Sequence, residues 1–361
     1  MTVRVKRIIT VIVGTILMIS SVICSTYMLR GYTRLCGYYD LDPNSVDVVF
    51  VGTSVTFTAF MPMEAWKDYG IVSYNYSTNV QFENAMRYSL VDVERSQNPK
   101  LIMVDIAPFL YEHYAGNEDW SDEDHQLFIK YNLDSRNYTL DRFALVNEIN
   151  RDMHGSFSDY WYYFFDISRY HTREFAFERY DNAEKDVGRG YGYLEHNKGD
   201  VWGLDRAVYD DGSTVKLKEQ EQYYLDKLLE TAKKMDAEVV FFCAPIYFWR
   251  QDQPAKKNYM RDYIEEQGFA FADFSNDIDE IGIDYKTDLW NVNHFDALGA
   301  EKVTKYLCEY LVNNYDIPDR RGDEKYAEWD SDYAEWEVIK TEYEETDRGI
   351  RVSEEPDAGE K

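Results

Sequence analysis

The stretch VVFVGTSVTF, Val48 to Phe57, decides how this chain is to be read. Its β-branched and aromatic residues run without polar alternation, the pattern of a strand buried on both faces of a parallel sheet. The run stops at Gly52-Thr53-Ser54, which lets the backbone turn sharply and leaves Ser54 at the strand's carboxyl end. In open parallel sheets ligands bind at that edge, where the amino end of the next helix favours developing negative charge. A serine there is a candidate nucleophile once a base joins it. Without one, G-T-S after a strand describes a turn with a helix-capping hydroxyl.

A base is available 240 residues later. The segment DLWNVNHFDALGA, Asp288 to Ala300, sets His294 just before a final amphipathic helix from about 297 to 314, with Asp296 where an N-cap belongs. His294 is therefore expected at the same edge as Ser54. Between the two segments strand and helix patterns alternate: strands at 71–77, 101–106, 239–248 and 269–274, with helices at 61–70, 81–96, 217–235 and 254–267. Such alternation predicts an α/β domain with a parallel sheet over 45–318. The aromatic-rich middle, about 107–213, includes DYWYYFFDISRYH at Asp159 to His171 and reads as an insertion covering the sheet's carboxyl edge.

The two flanking segments resemble the SGNH (GDSL-like) hydrolases. Gly52-Thr53-Ser54 is similar to their first block, in the G-S-S form of the membrane-anchored bacterial branch of DltD-like proteins and polysaccharide O-acetyltransferases. N-x-x-H-F-D-A-L-G-A followed by KVTKYLCEYL resembles the last block, D-x-x-H-L-N-x-x-G-A followed by a helix. The resemblance implies a flavodoxin-like, three-layer parallel sheet, with Ser54 as nucleophile and His294 as base. The chain departs from the pattern at Val55, where the branch has histidine, at Asn291, where the family has its aspartate, and at Asp296, where the branch has asparagine.

The second departure bears on chemistry, since the aspartate of a serine triad fixes the histidine tautomer and steadies the imidazolium; its change to asparagine costs on the order of 10⁴ in turnover. Asn291 orients a ring without adding charge. Asp288 is the other candidate acid, if the DLWNVN loop curls back. For the oxyanion the resemblance implies the Ser54 N–H and a group on the loop Ser77-Thr78-Asn79-Val80-Gln81, with Asn79 the first candidate and Gln81 the reserve. His171, in RYHTREF, resembles a Y-H-S-R-W stretch of the same branch and is a candidate cleft residue. No metal or other cofactor is expected, because no spacing of His, Asp and Glu suggests one.

The net charge of −28 argues against nucleic acid or anionic lipid as the main domain's ligand. Residues 323–361, with 15 acids and 5 bases, hold about a third of that excess within an acidic tail over 319–361. Its final ten or so residues are expected to be disordered, and its Tyr and Trp spacing from Tyr326 to Tyr343 allows a strap or helix. The four cysteines form no disulfide framework and read as inert thiols. From Ile8 to Leu29 the chain has 22 uncharged residues, preceded by Arg4, Lys6 and Arg7. That pattern predicts a single transmembrane anchor within 1–30 and a connector over 31–44, with a cytoplasmic amino terminus and an extracytoplasmic main domain. A cleaved signal peptide fits less well, for want of a small-residue cleavage site.

These readings converge on an SGNH-type acyl esterase or O-acyltransferase at the cell membrane, acting on an envelope polysaccharide or related glycan. The many tyrosines offer sugar-stacking faces, and the resemblance adds a membrane-bound O-acyltransferase as partner. A second expectation, from a different class, is a catalytically degenerate binding or assembly component of an envelope polysaccharide system; Val55, Asn291 and Asp296 favour it.

Overall fold

The computed structural model of the chain describes residues 2–29, 34–134, 136–170, 186–194, 210–246, 248, 250, 252–284, 287–291 and 293–354. It forms two compact units, Met1–Thr33 with Leu133–Glu184, and Arg34–Asn132 with Lys185–Lys361.

Helix α1 (Val3–Leu29) holds the basic cluster and the apolar run. Its stretch Val3–Ser25, with a mean hydropathy of 2.4 and no burial inside the protein, is long and apolar enough to cross a membrane. The connector contains a short helix, α2 (Cys36–Asp40), whose buried Tyr38 donates a 3.0 Å hydrogen bond to the Val93 carbonyl.

The larger unit is built on five strands: β1 (Val48–Gly52), β2 (Ser73–Ser77), β3 (Leu101–Asp105), β4 (Glu238–Cys243) and β5 (Ala270–Asp273). All pair in parallel, in the order β2-β1-β3-β4-β5. Every residue of β1 is buried, as its unbroken apolar run requires. The run divides at the glycine, however, and Ser54 already begins α3 (Ser54–Ala59). Then come α4 (Pro62–Tyr69), stopped by Gly70 at φ 67°, and α5 (Glu83–Gln97) before β3. After β3 lie α6 (Ala107–Leu110), α7 (Asp122–Leu133), α8 (Leu140–Asp152), α9 (Phe157–Phe164) and α10 (Asp166–Tyr170). Helix α11 (Glu219–Ala232) precedes β4, while α12 (Asp252–Glu266) joins β4 to β5. The chain then passes through α13 (Ile278–Ile281) to a small antiparallel hairpin, β6 (Leu289–Asn291) and β7 (His294–Phe295). Helix α14 (Ala297–Asn314) follows at once.

Much of the acidic tail is a helix, α15 (Ala327–Glu354), and residues 355–361 lie outside the described part of the chain. It belongs to the core, because Trp329 and Trp336 are buried. The Trp336 indole donates to Glu64 at 3.0 Å and the Trp66 indole to Asp330 at 3.2 Å. Lys340 binds both Glu64 and Glu301, so two acids of the sheet-bearing unit share a cation from the tail. Cys243 and Cys308 are buried free thiols whose pKa burial pushes well up.

In the smaller unit, buried ion pairs join α8 to α10 and α10 to the residue that follows α7. Arg142 bonds Asp166 at 2.8 Å, and Arg169 bonds Asp134 at 2.7 Å and Asp166 as well. Of the described residues, 133, 134 and 136–170 belong to the unit of α1, while 107–132 belong to that of the sheet.

Candidate active site

Gly52 is required by close approach: a Cβ there would meet Thr56 Oγ1 at 2.0 Å and Asp105 Cβ at 2.8 Å. The Thr56 hydroxyl donates to Asp105 Oδ2 at 2.8 Å, and Asp105 Oδ1 accepts from the Ala107 N–H at 2.9 Å. Burial nevertheless pushes the Asp105 pKa up to about 6. The cap of α3 is Thr53, whose hydroxyl accepts from the Val55 N–H at 3.2 Å. Ser54 is released from capping. It sits half-buried at the first helical position, where its N–H has no acceptor within the helix.

His294 Nε2 lies 2.7 Å from Ser54 Oγ, and Nδ1 lies 2.8 Å from Asn291 Oδ1. The same Oδ1 accepts from the backbone N–H groups of Asn293 at 3.0 Å and His294 at 3.1 Å. Backbone N–H groups only donate, so the atom they share is the amide oxygen, and Nδ1 must carry the ring proton. Nε2 is therefore bare, and the Ser54 hydroxyl donates to it. Burial pushes the His294 pKa down to about 4, which keeps the ring a neutral base at pH 7. Trp290 packs edge-on to the ring, with centroids 5.7 Å apart.

Asp288, the other candidate acid, is placed differently. Its carboxylate accepts from the Asp284 N–H at 2.8 Å and pairs with Lys302 at 2.6 Å. Its carbonyl accepts from the Asp296 N–H at 3.2 Å and crowds Gly299, where a Cβ would come within 2.1 Å. The ring nitrogens of His294 bond Asn291 and Ser54, not Asp288. Asp288 thus braces the hairpin against α14, while Asp296 caps α14 through the Gly299 N–H at 2.9 Å.

No family model, curated protein or solved structure matches this chain. The chemistry of the site is carried by its own contacts.

The register Gly52↔Ser77 brings the residues after β1 and β2 out at one height of the sheet edge, so Ser54 and Asn79 each stand two residues beyond a paired position. The Asn79 amide, half-buried, has no protein partner among the described residues. Gln81 is committed elsewhere: its Nε2 donates to Ser89 Oγ at 2.7 Å. Between them Val80 adopts φ 45°, a left-handed conformation costly for a β-branched residue. Asn132, fully buried at the end of α7, holds this loop in place. Its amide donates to the Val80 carbonyl at 2.9 Å and accepts from the Phe82 N–H at 2.8 Å. Tyr131 adds a carbonyl that accepts from Thr78 Oγ1 at 2.9 Å.

Three contributors escape a reading of the sequence. Asn132 looks like any polar residue of an amphipathic helix. His113 looks like a loop histidine, although burial pushes its pKa down to about 3 and His294 lies close enough to lower it further. Asp347, fully buried on α15, accepts from the Ala297 N–H at 3.1 Å and the Tyr193 hydroxyl at 2.8 Å. It caps the helix that follows His294, yet in the sequence it is one acid among the fifteen of the tail. His171 lies outside the described residues. Among those described, no group of three His, Cys, Asp or Glu is placed to hold a metal ion.

Proposed function

We propose that this chain is an SGNH-type serine acyl esterase or O-acyltransferase, anchored by α1 with its larger unit outside the membrane. The observation that carries the reading is the 2.7 Å contact between Ser54 Oγ and a His294 ring whose tautomer Asn291 fixes. Support comes from the strand order β2-β1-β3-β4-β5, the order of flavodoxin-like sheets, with the serine at the carboxyl edge where such sheets bind ligands.

In this mechanism Ser54 Oγ attacks the acyl carbonyl carbon as its proton passes to His294 Nε2. The oxyanion is met by the Ser54 N–H and the Asn79 amide. The imidazolium returns its proton to the departing group, leaving an acyl-serine. A water or glycan hydroxyl then attacks that ester, loses its proton to Nε2, and Ser54 recovers it on release. Because Asn291 brings no charge, the imidazolium is less stabilised than in a carboxylate triad, which fits a slow or specialised transferase. An envelope polysaccharide is the proposed acceptor, and a membrane-bound O-acyltransferase the proposed source of acyl groups.

A fluorophosphonate probe tests the reading. Wild type should be labelled, Ser54→Ala should not, and His294→Ala should react at least 100-fold more slowly. A folded wild type that resists the probe and leaves glycan acylation unchanged when Ser54 is replaced would instead support the degenerate binding component.

A further inference from the structure

Among the described residues of the sheet-bearing unit, the exposed large hydrophobics are Leu127, Val215, Tyr223, Val312 and Val338, no two on the same helix. In the smaller unit, outside α1, those described all fall on the start of α8 and on α9. Leu140 is 88% exposed and Phe157 79%, and Phe143, Trp161 and Tyr162 are each more than a third exposed. The rings are continuous. Phe143 packs on Phe164 with centroids at 5.8 Å, Phe164 on Trp161 at 5.9 Å, and Trp161 on Phe157 at 5.9 Å. Helix α9 begins with a full Ser156–Asp159 capping box, and the buried Arg142–Asp166 pair holds α8 to α10. The rings are therefore presented by rigid helices, not left over from a loose segment.

What this face meets is indicated by its neighbour in the same unit. Helix α10, directly after α9, packs on α1. Among the described side chains of α1 only Val22 and Ser25, three apart near its carboxyl end, are partly covered. The aromatic face thus belongs to a group of helices that packs on α1, and the described part of α1 is covered only near its carboxyl end. Trp and Tyr concentrate at that level of a bilayer, where a ring sits in the headgroup layer with its polar atom wet. Helix α9 contains no Lys or Arg, and Arg142 at the start of α8 is buried. Apolar insertion, not attraction to anionic lipid, would hold it.

We propose that the α8–α9 face (Leu140, Phe143, Phe157, Trp161, Tyr162) lies in the headgroup layer of the membrane that α1 spans, giving the smaller unit a second attachment to the lipid. The inference rests on α1 as a membrane span and is independent of the chemistry at Ser54.

The test uses the full chain in discs of zwitterionic phosphatidylcholine. Cys24 and Cys36 are changed to serine, and a polarity-sensitive fluorophore is placed by Phe157→Cys, by Val338→Cys on the other unit, or by Gly14→Cys within α1, where an added Cβ meets nothing within 4 Å. Lipids with a doxyl group near the headgroup should quench the label at 157 at least twofold more than at 338, and lipids with a deep doxyl group should quench at 14. Equal quenching at 157 and 338, with 14 quenched, overturns this inference alone, including the case in which a protein covers the face. No quenching at 14 overturns the anchor and this inference together. Hydroxyl-radical footprinting of the unaltered chain in discs supplies a label-free check: Tyr162 should be oxidised several-fold less than Tyr223, although the two are 39% and 42% exposed. Equal oxidation counts against the proposal.

Discussion

Asn291 holds the catalytic candidate His294 by an uncharged oxygen already shared with two backbone donors. A carboxylate would keep all three bonds and add a negative charge beside the ring. Asn291→Asp should therefore raise the His294 pKa from about 4 toward its ordinary value and increase p-nitrophenyl acetate turnover, by up to several powers of ten. Nuclear magnetic resonance titration and initial rates measure the two effects. In wild type the neutral ring is the active form, and its pKa is depressed. Turnover should accordingly stay level from pH 7 to about 5 and fall by half near pH 4, with the acid limb moving upward in Asn291→Asp. Asp288→Asn should leave turnover of the folded protein within about threefold, because that carboxylate serves Lys302 and a backbone N–H. A large loss of turnover in stable Asp288→Asn would return the acid's role to Asp288.

The loop between β2 and α5 carries backbone strain that one buried amide compensates. Asn132→Ala leaves the Phe82 N–H and the Val80 carbonyl without that partner, at about 2–4 kcal/mol of stability measured by urea unfolding. If Asn79 is the oxyanion donor proposed above, its loosening should lower kcat more than it raises KM, since such a donor acts in the transition state. The regular elements around this loop were legible because burial leaves a period: β1 as an unbroken apolar run, α14 as an amphipathic stretch opened by Asp296. Ser54 and His294 were legible for the same reason, each standing at the end of such an element. The β6–β7 hairpin is too short to leave a period, so the sequence does not show which of Asn291 and Asp288 meets the ring; the turn that carries Asn291 Oδ1 onto the Asn293 and His294 N–H groups does. The fixing of Val80 by Asn132 depends on a contact between residues 52 apart, and no local pattern encodes it.

Across the whole molecule, distant parts of the chain meet where α15 caps α14. Asp347→Ala removes the acceptor of the Ala297 N–H, a loss of about 0.5–2 kcal/mol typical of a helix cap. It should also lower esterase turnover at least tenfold by freeing the start of α14, three residues from His294; a melting curve and a kcat measured together distinguish the two effects. Turnover unchanged in a destabilised variant would make the cap structural only. That cap has a bearing on timing. Asp347 is added to the growing chain about 290 residues after Ser54, which at 5–20 residues per second is an interval on the order of tens of seconds. Throughout synthesis Ser54 exists without the completed helix that follows His294, and the proposed nucleophile can be assembled only once nearly the whole chain has left the ribosome.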